Sequence, residues 1–386
     1  MQISIMTFFD NLIAEEHRMI RATCRKFAET EIAPHAHAWE EAEEFPTELF
    51  KKAGDAGILG IGFPESAGGS GGGPIAQIMA IEGLLRGGST GVAVGLFSAG
   101  IAMPPIVNAG NPQHIENFVK PTLAGDKIAA LAVTEPGAGS DVAGIRTKAV
   151  KDGDDYIVTG NKIFITSGVK ADFLTTLVRT GDDPHAGVSF LLIEKEMAGV
   201  TVSRALKKTG WRASDTAELA FDEVRVPESH RIGPEGAAFI LLMQNFQMER
   251  LALAAYGAFS AEIAYEEAIK YAKEREVFGK QLTGFQVTRH KLAEMGTKVL
   301  AAKTMLYQVA SRMEVGEEVI AQVSMCKNFA SDVAQEVCYE AVQILGGMGY
   351  MRESIVERLS RDVRILPIGG GTTEIMKEII SKRVGY

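Results

Sequence analysis

Glu249 is the first residue whose setting suggests chemistry. Leu242, Phe246, Glu249, Leu253 and Tyr256 follow the spacing i, i+4, i+7, i+11, i+14, which lines one face of a helix and places a carboxylate in an apolar stripe. Spacing alone leaves two readings open. In one, Glu249 pairs with an arginine of a neighbouring helix or sits at a stripe edge that reaches solvent. In the other it is a partly desolvated base whose pKa is raised, as proton abstraction near neutral pH requires. A second group is VTEPGAGSD at 133–141, a turn dense in hydroxyls, small residues and backbone N–H groups that can approach a polar ligand closely. It lacks the spacing and the following helix of a dinucleotide-binding turn, and an ordinary Gly-rich turn is its plain alternative. A third lies toward the end of the chain, in REVFGKQ (275–281), QILGGMGYMRE (343–353) and RILPIGGGTTEI (364–375). The consecutive glycines 369–371 predict a turn or a place where backbone nears a ligand. Arg275 is either a fork for phosphate or a surface charge.

These residues need a scaffold. From residue 11 to about 126 the apolar spacing is helical, as in Ile20, Cys24, Phe27 and Ile32 and then Leu49, Ala53 and Ala56. The glycine-rich stretch 62–74 interrupts it, as a surface loop or as a loop guarding a cleft. From 127 to about 233 the pattern changes to short strand-like runs: IAALAVT, YIVTG, KIFIT, FLTTLVR, VSFLLIE, GVTVS and TAELAFDEVRVP, separated by turn clusters. An antiparallel sheet module follows. No strand–helix–strand alternation appears, which disfavours a nicotinamide-binding fold. Beyond 234, helical segments near 235–274, 286–313, 317–346 and 353–384 predict a four-helix bundle. The expected organisation is mainly α with a central β domain, in units 1–126, 127–233 and 234–386.

Composition excludes several classes. The 386 residues carry 40 Lys plus Arg against 49 Asp plus Glu, a formal charge of −9, so no global basic field attracts nucleic acid. Three widely spaced cysteines, Cys24, Cys326 and Cys338, suggest neither a disulfide framework nor a zinc cluster, and no metal is expected. The opening residues lack a signal-peptide core and an Arg-rich transit sequence, so cytoplasmic residence is the default expectation. The longest apolar runs, such as AAFILLMQNF, are too short for a membrane span.

The succession VTEPGAGSD, NKIFITSG, REVFGKQ, QILGGMGY and RDVRILPIGGGTTEI resembles the acyl-CoA dehydrogenase family along essentially the whole chain. The resemblance implies a helical–β–helical subunit, assembled as a homotetramer or homodimer around FAD. It implies that Val133 and Thr134 contact the isoalloxazine, that Ser140 touches cofactor phosphate or substrate, and that Phe164 and Thr166 flank the ring. Many members have Trp where Phe164 stands, so stacking survives without an indole N–H. Arg275, Gln286, Gln343, Gly346 and Gly347 would reach the ADP half of an FAD bound mainly to another subunit, and Thr372 and Glu374 would close the site.

The sequence departs from the commonest family pattern at Gly370, where a catalytic Glu usually precedes the Gly-Thr pair. It is similar here to the long-chain and isovaleryl branches, which carry the base on an earlier helix in a Glu-Arg-Leu segment. MERLALA supplies that residue as Glu249. The implied reaction is α,β-dehydrogenation of an acyl-CoA to a trans-2-enoyl-CoA, with the Gly370 N–H stabilising the enolate oxygen. Gln247, Arg250 and Gly371 would line the substrate path, and an electron-transferring flavoprotein would accept the electrons. A flavin oxidase or monooxygenase on the same fold, and a non-enzymatic DNA-associated member, are the alternatives. Acyl length and branching stay open, set by side chains near Glu249 and around residues 103–108.

Overall fold

The computed structural model describes Phe8, Phe9 and residues 13–386, and the opening residues that bear on a leader segment lie largely outside them. A helical region comes first, its long elements Glu15–Phe27 and Pro74–Leu85 packed together. Residues 62–74 are pinned rather than loose: the Gly62 N–H donates to Gly71 O, and Ile75 N donates to Glu314 Oε2 at 3.1 Å. The stretch 103–108, read as a loop near the acyl group, is mostly helix: Pro104–Ala109 is a short helix that Pro104 and Pro105 can start because their missing N–H groups fall in its unpaired first turn.

The middle of the chain is one eight-stranded sheet. Its strands are β1 (Ala129–Ala132), β2 (Lys148–Asp152), β3 (Asp155–Thr166), β4 (Phe173–Arg179), β5 (Val188–Glu194), β6 (Val200–Ala205), β7 (Thr216–Pro227) and β8 (Arg231–Ile232), in the order β6-β7-β3-β2-β4-β5-β8 with β1 beside β4. The pairing is mostly antiparallel, but β1 and β4 run parallel. The long excursion between them, through the Gly-rich turn and the β2–β3 hairpin, provides the crossover that a parallel pair needs. YIVTG and KIFIT, expected as two strands, are one strand β3 with register shifts between Val158 and Gly160 and between Lys162 and Ile165. Both faces of the sheet are covered. Leu174 and Val178 pack into one apolar cluster, while Phe173 and Leu177 pack on the other face against the N-terminal helices.

The helix Ala238–Glu274 runs 37 residues, about 55 Å at 1.5 Å per residue. Ala238 and Leu242 pack with the sheet-side cluster, whereas its residues from Leu251 to Ala272 enter the helical core. The predicted apolar stripe understates this burial: Leu251, Leu253, Ala254, Ala255, Tyr256, Gly257 and Ala258 are all buried, on every side of the helix. Helices Gln286–Glu314 and Ile320–Leu345 pack on it. At Gly257 the approach is so close that a β-carbon would stand 2.9 Å from the Ala330 carbonyl oxygen. The fourth expected segment, 353–384, is divided into Ile355–Asp362 and Thr373–Val384, because residues 369–371 break it.

Across these layers runs a buried ion network. Lys303 Nζ lies 2.5 Å from Glu262 Oε1 and 3.9 Å from Glu82, while Arg86 reaches Glu262 at 3.2 Å and Glu266 at 2.5 Å. It ties the Pro74–Leu85 region to the central and Gln286–Glu314 helices. Among the described residues no single helix is long and apolar enough to cross a membrane.

Candidate active site

The turn after the short helix Val363–Ile365 shapes the centre of the site. Ile368 N and Gly369 N both donate to Ile365 O at 2.9 Å, and Thr373 N closes on Pro367 O at 3.0 Å. Between them Gly370 and Gly371 adopt φ of 62° and 98°, a region that favours glycine. The Gly370 N–H finds no acceptor among the described residues.

Glu249 meets this turn from the central helix. Its Oε1 lies 3.3 Å from the point where a β-carbon on Gly370 would stand, and Leu253 Cδ1 lies 2.3 Å from the same point. Glu249 Oε2 is enclosed without a hydrogen-bond partner. Burial pushes the Glu249 carboxyl up to about 7, against the opposing pull of Arg250 and Lys327. Among the described residues no arginine of a neighbouring helix forms an ion pair with Glu249, and none joins it to Arg250 beside it on the same helix. Arg250 is buried with its guanidinium 5.6 Å from the Phe246 ring and its Nε unpaired. Gln247 donates to Met243 O at 3.3 Å and leaves Oε1 unpaired and enclosed.

The second wall is the 133–141 turn. Neither Val133 N–H nor Thr134 N–H finds an acceptor within the described residues. Lys162, fully buried, holds the turn by donating to Val133 O at 2.9 Å and to Glu135 Oε1 at 2.8 Å. Burial brings the Lys162 ammonium down to about 8. Burial also acts to raise the Glu135 carboxyl, but Lys162 and the amides of Arg146 and Thr147 outweigh it and hold the group below its ordinary value.

The neighbouring strand adds Phe164. Ile163 N donates to Thr134 O at 2.9 Å, so the strand follows the turn closely. At the β3 register shift Phe164 takes φ of 61°, rare for an aromatic residue, and its side chain is 65% exposed. A bulge re-aims a side chain in this way. Thr166, paired with Thr216 on β7, is half-buried, and Ser140 is exposed. Free amides at Val133 and Thr134, an outward-turned Phe164 and open space at the Gly137 α-carbon fit a flat polar ring system such as flavin.

Thr372 lies at the start of the last helix. Its hydroxyl caps the helix Thr373–Val384, accepting from Ile375 N at 3.3 Å, while the Thr373 hydroxyl beside it is enclosed and unpaired. Glu374 is exposed in the first turn of that helix. Arg275, Gln286, Gln343, Gly346 and Gly347 are exposed on other elements, and no hydrogen bond links them to the Glu249 hollow among the described residues. Between Arg275 and Gln286 projects a hairpin whose two turn residues, Phe278 and Gly279, have φ of 50° and 75°, with Phe278 96% exposed.

Sequence reasoning missed Lys162 and Lys327. Lys327 is fully buried, and its Nζ donates to Gly371 O at 2.7 Å.

The chain matches the acyl-CoA dehydrogenase N-terminal domain over residues 14–126, the middle domain over 130–224 and the C-terminal domain over 238–385. It is 40% identical to the long-chain specific acyl-CoA dehydrogenase, mitochondrial, of Sus scrofa, over 97% of this chain and 87% of that protein. The structure of a probable acyl-CoA dehydrogenase from Mycobacterium abscessus superposes with a TM-score of 0.95 at 53% identity, covering 96% of this chain and 99% of that one. A glutaryl-CoA dehydrogenase from Mycobacterium smegmatis, solved in complex with FADH2, gives a TM-score of 0.91 at 28% identity, covering 98% and 97%.

Proposed function

The chain belongs to the acyl-CoA dehydrogenase family and is an FAD-dependent oxidoreductase, and from that premise we propose that it dehydrogenates medium- or long-chain, or branched, fatty acyl-CoA thioesters to trans-2-enoyl-CoA. One observation carries the proposal: a desolvated carboxylate, Glu249, stands beside an unpaired backbone N–H at Gly370. Bound FAD supplies the hydride acceptor for Cβ.

Glu249 takes the proton from Cα. A thioester α-proton yields to a carboxylate only if the developing enolate oxygen is stabilised, and the Gly370 N–H is the donor for it. Burial raises the basicity of Glu249, so the acid formed on proton transfer is less unfavourable than an exposed carboxylic acid would be. Gln247 and Arg250, with unpaired polar atoms, bind and orient the acyl-CoA. Val133, Thr134, Ser140, Phe164 and Thr166 seat the flavin, while Arg275, Gln286, Gln343, Gly346 and Gly347 hold the ADP half of a cofactor shared with another subunit. The exposed Phe278 tip beside Arg275 supports a homo-oligomer, a homotetramer in this reading. An electron-transferring flavoprotein takes the electrons. Free buried thiols at Cys24, Cys326 and Cys338 fit cytoplasmic residence.

Anaerobic bleaching of the flavin across a panel of acyl-CoAs tests the proposal and ranks chain lengths. Glu249→Gln is expected to keep the yellow colour and slow bleaching by about two to four orders of magnitude. Failure of every acyl-CoA to bleach the wild-type protein overturns the reading, and near wild-type bleaching by Glu249→Gln overturns the base assignment.

A further inference from the structure

We propose that Lys327 is a positioning residue of this site, its ammonium fixing the 370–371 glycine turn and serving with Arg250 as the counter-charge that tunes Glu249. The inference deepens the proposed function and rests on its assignment of Glu249.

Lys327 lies on the helix Ile320–Leu345, on the same face as Val323, Ala330 and Ala334, all buried. An ammonium has three donors and is costly to bury unless they are used. One goes to Gly371 O at 2.7 Å, and no second acceptor appears among the described residues. The next residue, Asn328, donates to Thr373 O at 3.2 Å, so two successive side chains grip carbonyls on either side of Thr372. Gly370 and Gly371 both have positive φ, and nothing in their own side chains holds them there. The carbonyl anchored by Lys327 is therefore a side-chain restraint one residue from the free Gly370 N–H.

The electrical surroundings argue for a charge and not only a tether. Glu249 feels two cations, Arg250 and Lys327, both holding its carboxyl lower than burial alone would. Lys327 is itself brought down to about 8, chiefly by burial and then by Arg250, while Glu249, Glu374 and Asp332 pull it up. Around the turn, Glu249 Oε2, Arg250 Nε, Asn328 Oδ1 and Thr373 Oγ1 are enclosed and unpaired. A tether alone would need only a neutral donor.

The test titrates Glu249 directly in the FAD-loaded protein, by the infrared carbonyl stretch of its protonated acid, identified as the band that Glu249→Gln removes. The expected wild-type midpoint is about 7. Lys327→Met should move that midpoint upward by about one pH unit, a tenfold change in acidity, and should slow flavin reduction at saturating acyl-CoA more than it weakens acyl-CoA binding. Lys327→Gln, which keeps a donor without the charge, should recover part of the rate while leaving the midpoint raised. An unmoved midpoint in both variants overturns the proposal, whatever happens to the rate. If no acyl-CoA bleaches the wild-type flavin, the proposed function falls, but the infrared titration still decides the part played by Lys327.

Discussion

Glu249 Oε1 and the vacant β-position of Gly370 lie 3.3 Å apart, although one residue belongs to the middle of a long helix and the other to a glycine turn. A carboxylate attached at either backbone position would serve nearly the same volume. That relation explains how a site can lack a carboxylate in its closing turn and still hold a base.

Moving the carboxylate is therefore a fair trial of the geometry. Glu249→Gly with Gly370→Glu should recover part of the flavin-reduction rate lost in Glu249→Gly alone. Recovery should be limited because φ at residue 370 is 62°, which costs a side chain about 1–2 kcal/mol, and because Leu253 Cδ1 stands 2.3 Å from the new β-carbon. Adding Leu253→Ala should improve it. Stopped-flow reduction that stays at the Glu249→Gly level in the triple variant would refute the shared-volume reading.

The pH profile has a definite sign. In the proposed reaction Glu249 works as a carboxylate, and burial moves its pKa up to about 7, so the competent fraction is lost as pH falls through that value. kcat/KM for acyl-CoA should rise about tenfold per pH unit below 7 and level off above it. The same limb should vanish from the residual rate of Glu249→Gln. A flat profile across this range would mean that another group takes the proton.

Arg275 carries no ion pair among the described residues and is exposed. Arg275→Ala is expected to weaken FAD retention on gel filtration by about tenfold or more in Kd, since a guanidinium on phosphate contributes more than about 1.4 kcal/mol. Excess FAD should restore most turnover. Unchanged retention would remove Arg275 from the cofactor site.

The ion network predicts a stability pattern. Glu262→Leu leaves the fully buried Lys303 with only the Glu82 carboxylate, 3.9 Å away, and should cost about 3–5 kcal/mol in denaturant unfolding of the FAD-loaded protein. Glu262→Leu with Lys303→Leu should be markedly more stable than the single variant, because no uncompensated charge is left inside. A harmless Glu262→Leu would show that the network contributes little.

Much of this architecture can be read from periodicity. The change from helical to strand-like spacing near residue 127 and back near 234 marks the layers, and Glu249 stands out because a carboxylate interrupts an apolar face. Phe164 resists such a reading, since its exposure comes from a register shift that only the pairing of β3 with β7 creates. Strand β2 escapes because KAVKD is polar, with its Val150 side chain exposed and its place set mainly by its pairing with β3. The parallel pairing of β1 with β4 leaves no local trace, because it depends on where a long excursion ends. The two buried lysines did leave a signal: Lys162 shares the inward phase of Tyr156 and Val158, and Lys327 shares the face of Val323 and Ala330. Lysine is so commonly a surface residue that the pattern is easily passed over.

The central helix also constrains how a ligand can come and go. Beyond Glu249, from Leu253 to Ala264, the helix is buried on every side, and at Gly257 it presses against the Ala330 carbonyl. Fraying or hinging there would require separating the bundle, so this wall stays still on the timescale of turnover. The 369–371 turn is held by Lys327 and Asn328, which leaves the 136–140 turn, with open space around Gly137, as the wall that can flex to admit a ligand without disturbing a core. Hydrogen exchange should display the asymmetry, with slow amides along residues 250–264 and fast ones in the 136–140 turn.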